Sequence, residues 1–315
     1  MPSSVVVTAP ARLHLGFLDM HGGLGRRFGS LGLTIEGFAT RVRIEPASET
    51  MTVGEAEIER AARVLDVLRR QWDVPHVRLT IERTIPAHVG MGSGTQLGLA
   101  VGTALATLFD VQVGPAEIAR LLERGARSGI GIGAFSEGGF ILDGGKDDSG
   151  DPPPVTARLP VPKAWRVLVI LDPAHRGLHG AAELDAFRTL DRFSAETAAE
   201  LCRLVVMRLL PGLATADLGP VGSAIGEIQR RVGDHFAPAQ GGRFTSAPVA
   251  RVLEMLAGDG IAGVGQSSWG PTGFALLPDE ATARELAGSL ARQFASLHFE
   301  IVAARNRGAE ITPGG

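Results

Sequence analysis

The sequence predicts an α+β protein built from two lobes. Its 315 residues are many for one hydrophobic core and few for three. Runs rich in β-branched residues alternate with segments of helical periodicity along the whole chain. Apolar residues make up 44% of the sequence, and its 42 glycines and 19 prolines indicate many turns. A folded chain is therefore expected, and disorder throughout the chain is excluded.

The first half opens with β-structure and then alternates helices and strands. In order, the patterns predict strands at 5–8 and 11–18 interrupted by Pro10, one or two strands over 31–44, a helix over 55–72, a strand over 76–82, a buried helix over 95–109, a helix over 115–127 and a glycine-punctuated strand region over 129–145. The polar, proline-containing stretch 146–154 then marks a boundary. We place an amino-terminal lobe at 1–150 and a carboxyl-terminal lobe at 151–315.

The second half contains more helix and suggests a split βαβ sandwich. The patterns predict a strand over 165–171, helices over 181–190, 196–210 and 219–232, a helix carrying apolar residues from 249 to 256, strands over 261–264 and 273–277, a helix over 280–297 and a strand over 298–303.

Composition excludes several function classes. The formal net charge of −3 provides no overall positive field, so nucleic acid is not an expected partner. The single cysteine, Cys202, allows no internal disulfide and no cysteine zinc site. No run reaches the roughly 20 apolar residues of a membrane span, so no membrane association and a cytoplasmic location are expected. Only two of the 31 basic residues are lysines, Lys146 and Lys163, and neither lies in a P-loop pattern.

The strongest chemical signal is a glycine loop that leads directly into the buried helix. Its sequence over 86–96 is Pro-Ala-His-Val-Gly-Met-Gly-Ser-Gly-Thr-Gln. Backbone N–H groups at a helix start bind phosphate, and glycines let oxygen atoms approach the main chain. The alternative is a tight turn without a ligand. The candidate phosphate-binding residues are Gly90, Gly92, Ser93, Gly94, Thr95 and Gln96.

Three ordered motifs resemble those of the GHMP kinase superfamily over almost the whole chain. They are residues 9–16 (Ala-Pro-Ala-Arg-Leu-His-Leu-Gly), the loop 86–96, and residues 263–271 (Gly-Val-Gly-Gln-Ser-Ser-Trp-Gly-Pro). The resemblance implies a two-lobed GHMP-kinase-like fold. Its amino lobe is of β-α-β type, and its carboxyl lobe is ferredoxin-like.

One position departs from the kinases of this superfamily. They usually carry Ser-Gly-[Ile/Val]-Asp, whose Asp helps to deprotonate the acceptor hydroxyl, and the matching segment here has Gly131 in place of that Asp. Loss of this group would slow phosphoryl transfer without abolishing it. An ATP-dependent GHMP small-molecule kinase therefore remains the alternative function. A binding module without catalysis is a third possibility.

The variant motifs are similar to those of the β-ribofuranosylaminobenzene 5′-phosphate synthase family. Residues 17–20, 177–183 and 304–309 add to the similarity. The resemblance implies that phosphoribosyl pyrophosphate and 4-aminobenzoate form a C-riboside phosphate with release of CO2 and pyrophosphate, in tetrahydromethanopterin biosynthesis. Loss of CO2 restores the aromatic ring, so no base must remove a ring proton. The sequence leaves open whether 4-aminobenzoate or 4-hydroxybenzoate is preferred.

This reaction needs charge neutralisation for pyrophosphate and a cation for the benzoate. Arg12 and His14 are two positions apart on one predicted strand, so their side chains share a face. The Arg12 guanidinium could bind a carboxylate or a phosphate, and His14 could donate a hydrogen bond. Alternatively, the two residues form a structural pair. Ser267 and Ser268 could bind a second phosphate. Trp269 could stack on the acceptor or lie in the core.

The remaining candidates are weaker signals. Carboxylates that could stabilise the reacting sugar are Asp19, Glu137 and Glu183, although carboxylates near glycines often serve turns. Arg305 and Asn306 could reach across the lobes or belong to a solvated terminus. Mg2+ is expected to arrive on the substrate pyrophosphate, because His175 and His179 lack the spacing of a protein metal site. The family resemblance also implies a homodimer.

Overall fold

The computed structural model describes residues 2–177 and 187–315. In these residues the strands are β1 (Ser4–Asp19), β2 (Phe28–Pro46), β3 (Met51–Gly54), β4 (Val77–Arg83), β5 (Phe140–Asp143), β6 (Val155–Leu159), β7 (Arg166–Leu171), β8 (Val264–Gln266), β9 (Gly273–Leu277), β10 (His298–Ala303) and β11 (Glu310–Gly314). The helices are α1 (Ile58–Trp72), α2 (Ser93–Phe109), α3 (Pro115–Leu121), α4 (Ile130–Ser136), α5 (Ala195–Leu204), α6 (Leu210–Ala214), α7 (Leu218–Gln240), α8 (Ala247–Gly258) and α9 (Glu280–Gln293), and a π-helical turn at Val205–Leu209 joins α5 to α6.

The first sheet has seven strands and carries the amino-terminal core. Its main path is β11-β1-β2-β4-β3, and β5 pairs with both β2 and β6. Helices α1 and α2 pack on this sheet through Leu65, Leu68 and Leu105, which are fully buried against Val42 and Ile44. Helix α2 is buried along almost its whole length, as its uniformly apolar sequence predicts. Its half-buried start is therefore held in a fixed position at the edge of the core.

The second sheet has four antiparallel strands in the order β10-β7-β9-β8. Helices α8 and α9 pack on one face through Val252, Leu253 and Leu290. The chain order β7-α8-β8-β9-α9-β10 and this strand order define a ferredoxin-like lobe, which confirms the expectation for the carboxyl-terminal half.

Helix α7 connects the two sheets. Its residue Ile228 belongs to the same buried cluster as Leu13 and Leu15 of β1 and Phe274 of β9. The side chain of Gln229 donates from Nε2 to the carbonyl of Leu15 at 2.7 Å. The amino-terminal half of α7 thus fixes β1 against the second lobe.

The two-lobed α+β fold is confirmed, and two local predictions change. Strand β1 runs through Pro10 without a break, because the register against β2 shifts between Pro10 and Arg12 and so accommodates the missing N–H. The predicted strand region 129–145 is helix α4 followed by β5, because its apolar glycine-rich run was too short to show a helical period. The division at residue 150 stays a prediction, although β6 and β11 pair with the first sheet.

Candidate active site

The glycine loop and strand β1 are joined by backbone and side-chain hydrogen bonds. The amide of Arg12 donates to the carbonyl of Met91 at 3.2 Å, and Nη1 of Arg12 donates to the carbonyl of Gly90 at 2.6 Å. The guanidinium carbon of Arg12 would lie 3.1 Å from a Cβ at Gly92. The first and second motifs therefore form one surface, with a cation beside the loop.

The third motif closes onto the same loop. The hydroxyl of Ser267 donates to the carbonyl of Gly90 at 2.8 Å and accepts from the amide of His14 at 3.0 Å. A Cβ at Gly90 would lie 2.1 Å from the carbonyl oxygen of Ser267, and one at Gly270 would lie 2.1 Å from that of Val89. Glycine is therefore required where these backbones meet. The fully buried hydroxyl of Ser267 joins the motifs, and this favours a structural role over the predicted phosphate contact.

Helix α2 begins with backbone N–H groups that have no acceptor in the part of the chain that the structure describes. Gly92 caps the helix with a φ of 84° and provides no side-chain hydrogen bond. The first amide of the helix to find a backbone carbonyl is that of Gln96, which donates to Gly92 at 3.1 Å. The preceding amides, at Ser93, Gly94 and Thr95, remain for a ligand, and the helix dipole favours an anion there. This geometry agrees with the predicted phosphate loop.

Two arginines that the sequence analysis missed flank this helix start. Nη1 of Arg60 and Nη1 of Arg124 would lie 3.6 and 3.9 Å from a Cβ at Gly94. Arg60 pairs with Glu57 at 2.9 Å, and Arg124 forms no salt bridge with a described carboxylate. Burial and the charge of Arg60 lower the pKa of Arg124. The positive charges of Arg60 and Arg124 thus lie together beside the first backbone amides of α2. The spacing of these arginines in the sequence does not indicate that they meet.

Gly131 stands at the position where kinases of this superfamily carry an Asp, and the start of helix α2 packs against it. A Cβ at Gly131 in α4 would lie 2.8 Å from Cγ2 of Thr95. Gln96 is fully buried and donates from Nε2 to the carbonyl of Gly131 at 2.8 Å. There is thus no space for an aspartate at 131 in this arrangement. Gln96 contacts α4, and this contact favours a structural role over its predicted phosphate contact.

His14 is buried and neutral at ordinary pH. Burial, and to a smaller extent the positive charges of Arg12 and Arg127, lowers its pKa from 6.5 to about 3. Its ring contacts that of Phe17, with centroids 4.6 Å apart. Its Nε2 atom has no hydrogen-bond partner among residues 2–177 and 187–315. A neutral imidazole is an acceptor or a donor here, but it is not a cation for phosphate.

Trp269 faces the same cavity as His14. Its side chain is 3% exposed and packs against Phe236, with ring centroids 4.3 Å apart. Nε1 of Trp269 also lacks a partner in the described part of the chain. A cavity of about 30 Å3 between β1 and α7 is lined by both residues. Ser268 lines the cavity too, and its amide donates to the carbonyl of His14 at 3.2 Å.

Of the predicted carboxylates, the two that lie in the described residues form no hydrogen bond with the glycine loop. Oδ1 of Asp19 accepts from the amides of His21 and Gly22 at 2.9 and 2.8 Å, which is a turn role. Glu137 is exposed at the end of α4, and its side chain forms no hydrogen bond or salt bridge with a described residue. These contacts favour structural or surface roles over the predicted catalytic ones. Glu183 and His179 lie outside the described residues, as does most of the predicted helix 181–190.

Arg305 and Asn306 are also engaged away from the loop. Arg305 is 6% exposed and pairs with Glu36 at 2.9 Å and with Glu310 at 3.0 Å. The side-chain amide of Asn306 forms two hydrogen bonds of 2.8 Å with the backbone of Val161. These bonds attach the end of the chain to the first sheet. They favour structural roles over the predicted substrate contacts.

Within the described residues, no group of three or more His, Cys, Asp or Glu side chains could hold a metal ion. His175 pairs with Asp172 at 3.1 Å. None of the helices within residues 2–177 and 187–315 is both long enough and apolar enough to cross a membrane.

Family models and curated relatives agree on the lineage of this chain. The model of the GHMP kinases N terminal domain matches residues 59–139, and that of the GHMP kinases C terminal matches residues 209–296. A beta-ribofuranosylphenol 5'-phosphate synthase from Archaeoglobus fulgidus is 30% identical over 320 residues, covering 96% of this chain and 97% of the relative. The chain belongs to this synthase family of the GHMP kinase superfamily. A family member with the same name from Methanothermobacter thermautotrophicus is 29% identical and covers 98% of this chain and 99% of its own.

Solved structures with low identity share the fold of the family. A homoserine kinase from Cytophaga hutchinsonii superimposes with a TM-score of 0.70 at 18% identity, covering 99% of this chain and 98% of its own. The mevalonate-3-kinase from Thermoplasma acidophilum gives 0.69 at 12% identity, with complete coverage of both chains. The GHMP kinase fold is thereby confirmed.

Proposed function

We propose that this protein transfers the phosphoribosyl group of phosphoribosyl pyrophosphate to a 4-substituted benzoate, with release of CO2 and pyrophosphate. This is the β-ribofuranosylphenol 5′-phosphate synthase reaction, with a role in tetrahydromethanopterin biosynthesis. The observation that carries the proposal is the contact of Gly131 with Thr95, which leaves no space for a kinase carboxylate beside a phosphate-binding helix start. The names of the curated relatives support the same activity.

The proposed reaction needs no side chain to remove a ring proton. The bond from the anomeric carbon to pyrophosphate breaks, and its electron pair leaves with the pyrophosphate. The ring carbon that carries the carboxylate forms the new C–C bond. The bond to the carboxylate then breaks, its electron pair restores the aromatic ring, and CO2 leaves. The protein must therefore stabilise the departing anion and exclude water.

The start of α2 is our proposed site for the pyrophosphate. The free amides there supply neutral donors, while Arg60 and Arg124 supply positive charge where negative charge develops. The positively charged side chains of Arg60 and Arg124 cannot act as ligands of Mg2+. We therefore propose that Mg2+, when bound, is held by the oxygen atoms of the substrate, and no step is assigned to it.

The acceptor is proposed to be a benzoate with a hydroxyl group at the 4 position. The names of the relatives contain a phenol, whereas the sequence resemblance suggested 4-aminobenzoate. Both groups donate electrons to the attacked ring carbon, so 4-aminobenzoate is the second candidate. We further propose a cytoplasmic homodimer, which is supported by the family resemblance alone.

The decisive experiment supplies phosphoribosyl pyrophosphate, Mg2+ and carboxyl-labelled 4-hydroxybenzoate or 4-aminobenzoate. The expected result is one labelled CO2 and one pyrophosphate per turnover. Phosphoryl transfer from ATP to a small molecule, without release of label, would instead establish the kinase alternative. Binding of the substrates without turnover of either kind would favour a binding module.

Variants of the two arginines test the pyrophosphate site. We expect Arg60→Gln and Arg124→Gln each to raise KM for phosphoribosyl pyrophosphate about tenfold, since a charged hydrogen bond contributes about 1.5–3 kcal/mol. Arg63→Gln is the matched control, because Arg63 lies on α1 with a side chain that is 70% exposed. Equal KM values in all three variants would remove the assignment.

A further inference from the structure

The cavity between β1 and α7 is lined by two side chains that each carry a buried polar atom without a partner among the described residues. Nε2 of His14 and Nε1 of Trp269 both belong to side chains that are 3% exposed. Both residues line the same cavity, and its other walls include the rings of Phe17 and Phe236. A buried polar atom without a partner costs about 1–3 kcal/mol. Two such atoms at one cavity indicate a polar ligand group that satisfies both.

The two atoms together specify the chemistry of that group. The indole Nε1 can only donate a hydrogen bond. A neutral imidazole carries its proton on one of its two nitrogens, so Nε2 accepts a hydrogen bond when Nδ1 holds the proton. We infer this tautomer for His14, whose Nε2 has no partner among the described residues. The ligand group must therefore accept one hydrogen bond and donate another, as a hydroxyl does.

The size and place of the cavity fit the end of an aromatic ligand. A volume of about 30 Å3 holds one or two oxygen-sized atoms, so it has room for a hydroxyl group while the ring that carries the hydroxyl lies outside. Arg12, which donates to the carbonyl of Gly90, lies two residues from His14 on β1, about 6.8 Å along a strand. The cavity therefore adjoins the part of β1 that contacts the glycine loop.

We propose that His14 and Trp269 form the subsite that recognises the 4-hydroxyl group of the aromatic acceptor by hydrogen bonds. Trp269 donates from Nε1 to the hydroxyl oxygen, and the hydroxyl donates to Nε2 of His14. This inference rests on the proposed function and assigns the residues that select the acceptor. An aromatic amine satisfies His14 but accepts poorly from Trp269, because its lone pair is conjugated with the ring. The subsite therefore discriminates between 4-hydroxybenzoate and 4-aminobenzoate.

The same contacts assist the chemistry. As the ring carbon bonds to the sugar, the hydroxyl oxygen supplies electrons to the ring and its proton moves to Nε2 of His14. When the bond to the carboxylate breaks, the ring regains its electrons and the proton returns to oxygen. No net proton is gained or lost at His14. A buried imidazole that is unprotonated before substrate binds is suited to this exchange.

The test measures kcat/KM for both acceptors at saturating phosphoribosyl pyrophosphate. In Trp269→Phe, the value for 4-hydroxybenzoate is expected to fall about 5- to 150-fold, as for a lost partner of a buried polar group. The value for 4-aminobenzoate should change less than threefold. Trp165→Phe is the matched control, since Trp165 is also buried and does not line this cavity. Equal losses for both acceptors in Trp269→Phe would overturn the proposal.

A binding series with the wild-type protein covers the case in which Trp269→Phe does not fold. In the absence of phosphoribosyl pyrophosphate, so that no turnover occurs, 4-hydroxybenzoate should bind at least tenfold more tightly than benzoate or 4-methoxybenzoate, by calorimetry. Equal affinities would refute the hydroxyl subsite. Absence of labelled CO2 with every acceptor would refute the proposed function instead, and the binding series would still report on the cavity.

Discussion

The low pKa of His14 predicts how stability depends on pH. The unfolded chain protonates this imidazole near pH 6.5, whereas the folded protein resists protonation down to about pH 3. Between these values the unfolded state binds more protons, so the free energy of unfolding falls as pH falls. At pH 5 the difference from the unfolded pKa is 1.5 pH units, which corresponds to about 2 kcal/mol. Above pH 7 this effect has almost vanished.

A comparison with His14→Gln isolates that contribution. Urea unfolding at pH 7 and pH 5 should show that the wild-type protein loses about 2 kcal/mol more than the variant between the two values. Other groups that titrate, such as His235, are common to both proteins and cancel in the difference. Equal losses, or an imidazole of His14 that titrates near pH 6.5 by NMR, would refute the account of a buried neutral ring.

Three further predictions concern packing and buried polar groups. Gly131→Ala should lower the free energy of unfolding by about 1–3 kcal/mol. Adding Thr95→Ser to that variant should restore most of the loss, because serine lacks the methyl group that the new Cβ would meet. Additive losses in the double-mutant cycle would contradict this contact. Asp143→Asn should cost about 2–4 kcal/mol in thermal or urea unfolding, since Asp143 accepts four hydrogen bonds, and an unchanged midpoint would count against that role. Arg305→Gln should cost about 1–3 kcal/mol and leave kcat/KM within twofold of wild type; a large rise in KM would restore the substrate role expected from the sequence.

Elements with a clear period were predicted well from the sequence. The strands at 273–277 and 298–303 have the expected bounds, and the buried helix was placed within two residues of its observed start. Strand β11 was missed because a short polar segment forms a strand only through its pairing with β1, from Ser4 to Thr8. Local periodicity carries no information on such a distant partner.

The candidate site was predictable where chemistry follows local sequence. Glycines before an apolar helix identified the loop that caps α2, whose phosphate-binding role stays a prediction, and alternation placed Arg12 and His14 on one face. Arg60 and Arg124 were missed because they come from separate elements and meet only through packing. In the same way, the sequence could not show that Arg305 is occupied by Glu36, a residue far away in the chain.

The double contact of Ser267 has a consequence for how ligands enter. Its single hydroxyl connects the carboxyl-terminal lobe both to the glycine loop and to strand β1. A hinge-like separation of the lobes at this point would have to break both bonds together with the close approach of Gly90 and Gly270. Entry routes that leave these contacts intact are therefore favoured, and the amides at the start of α2 keep their orientation during such entry.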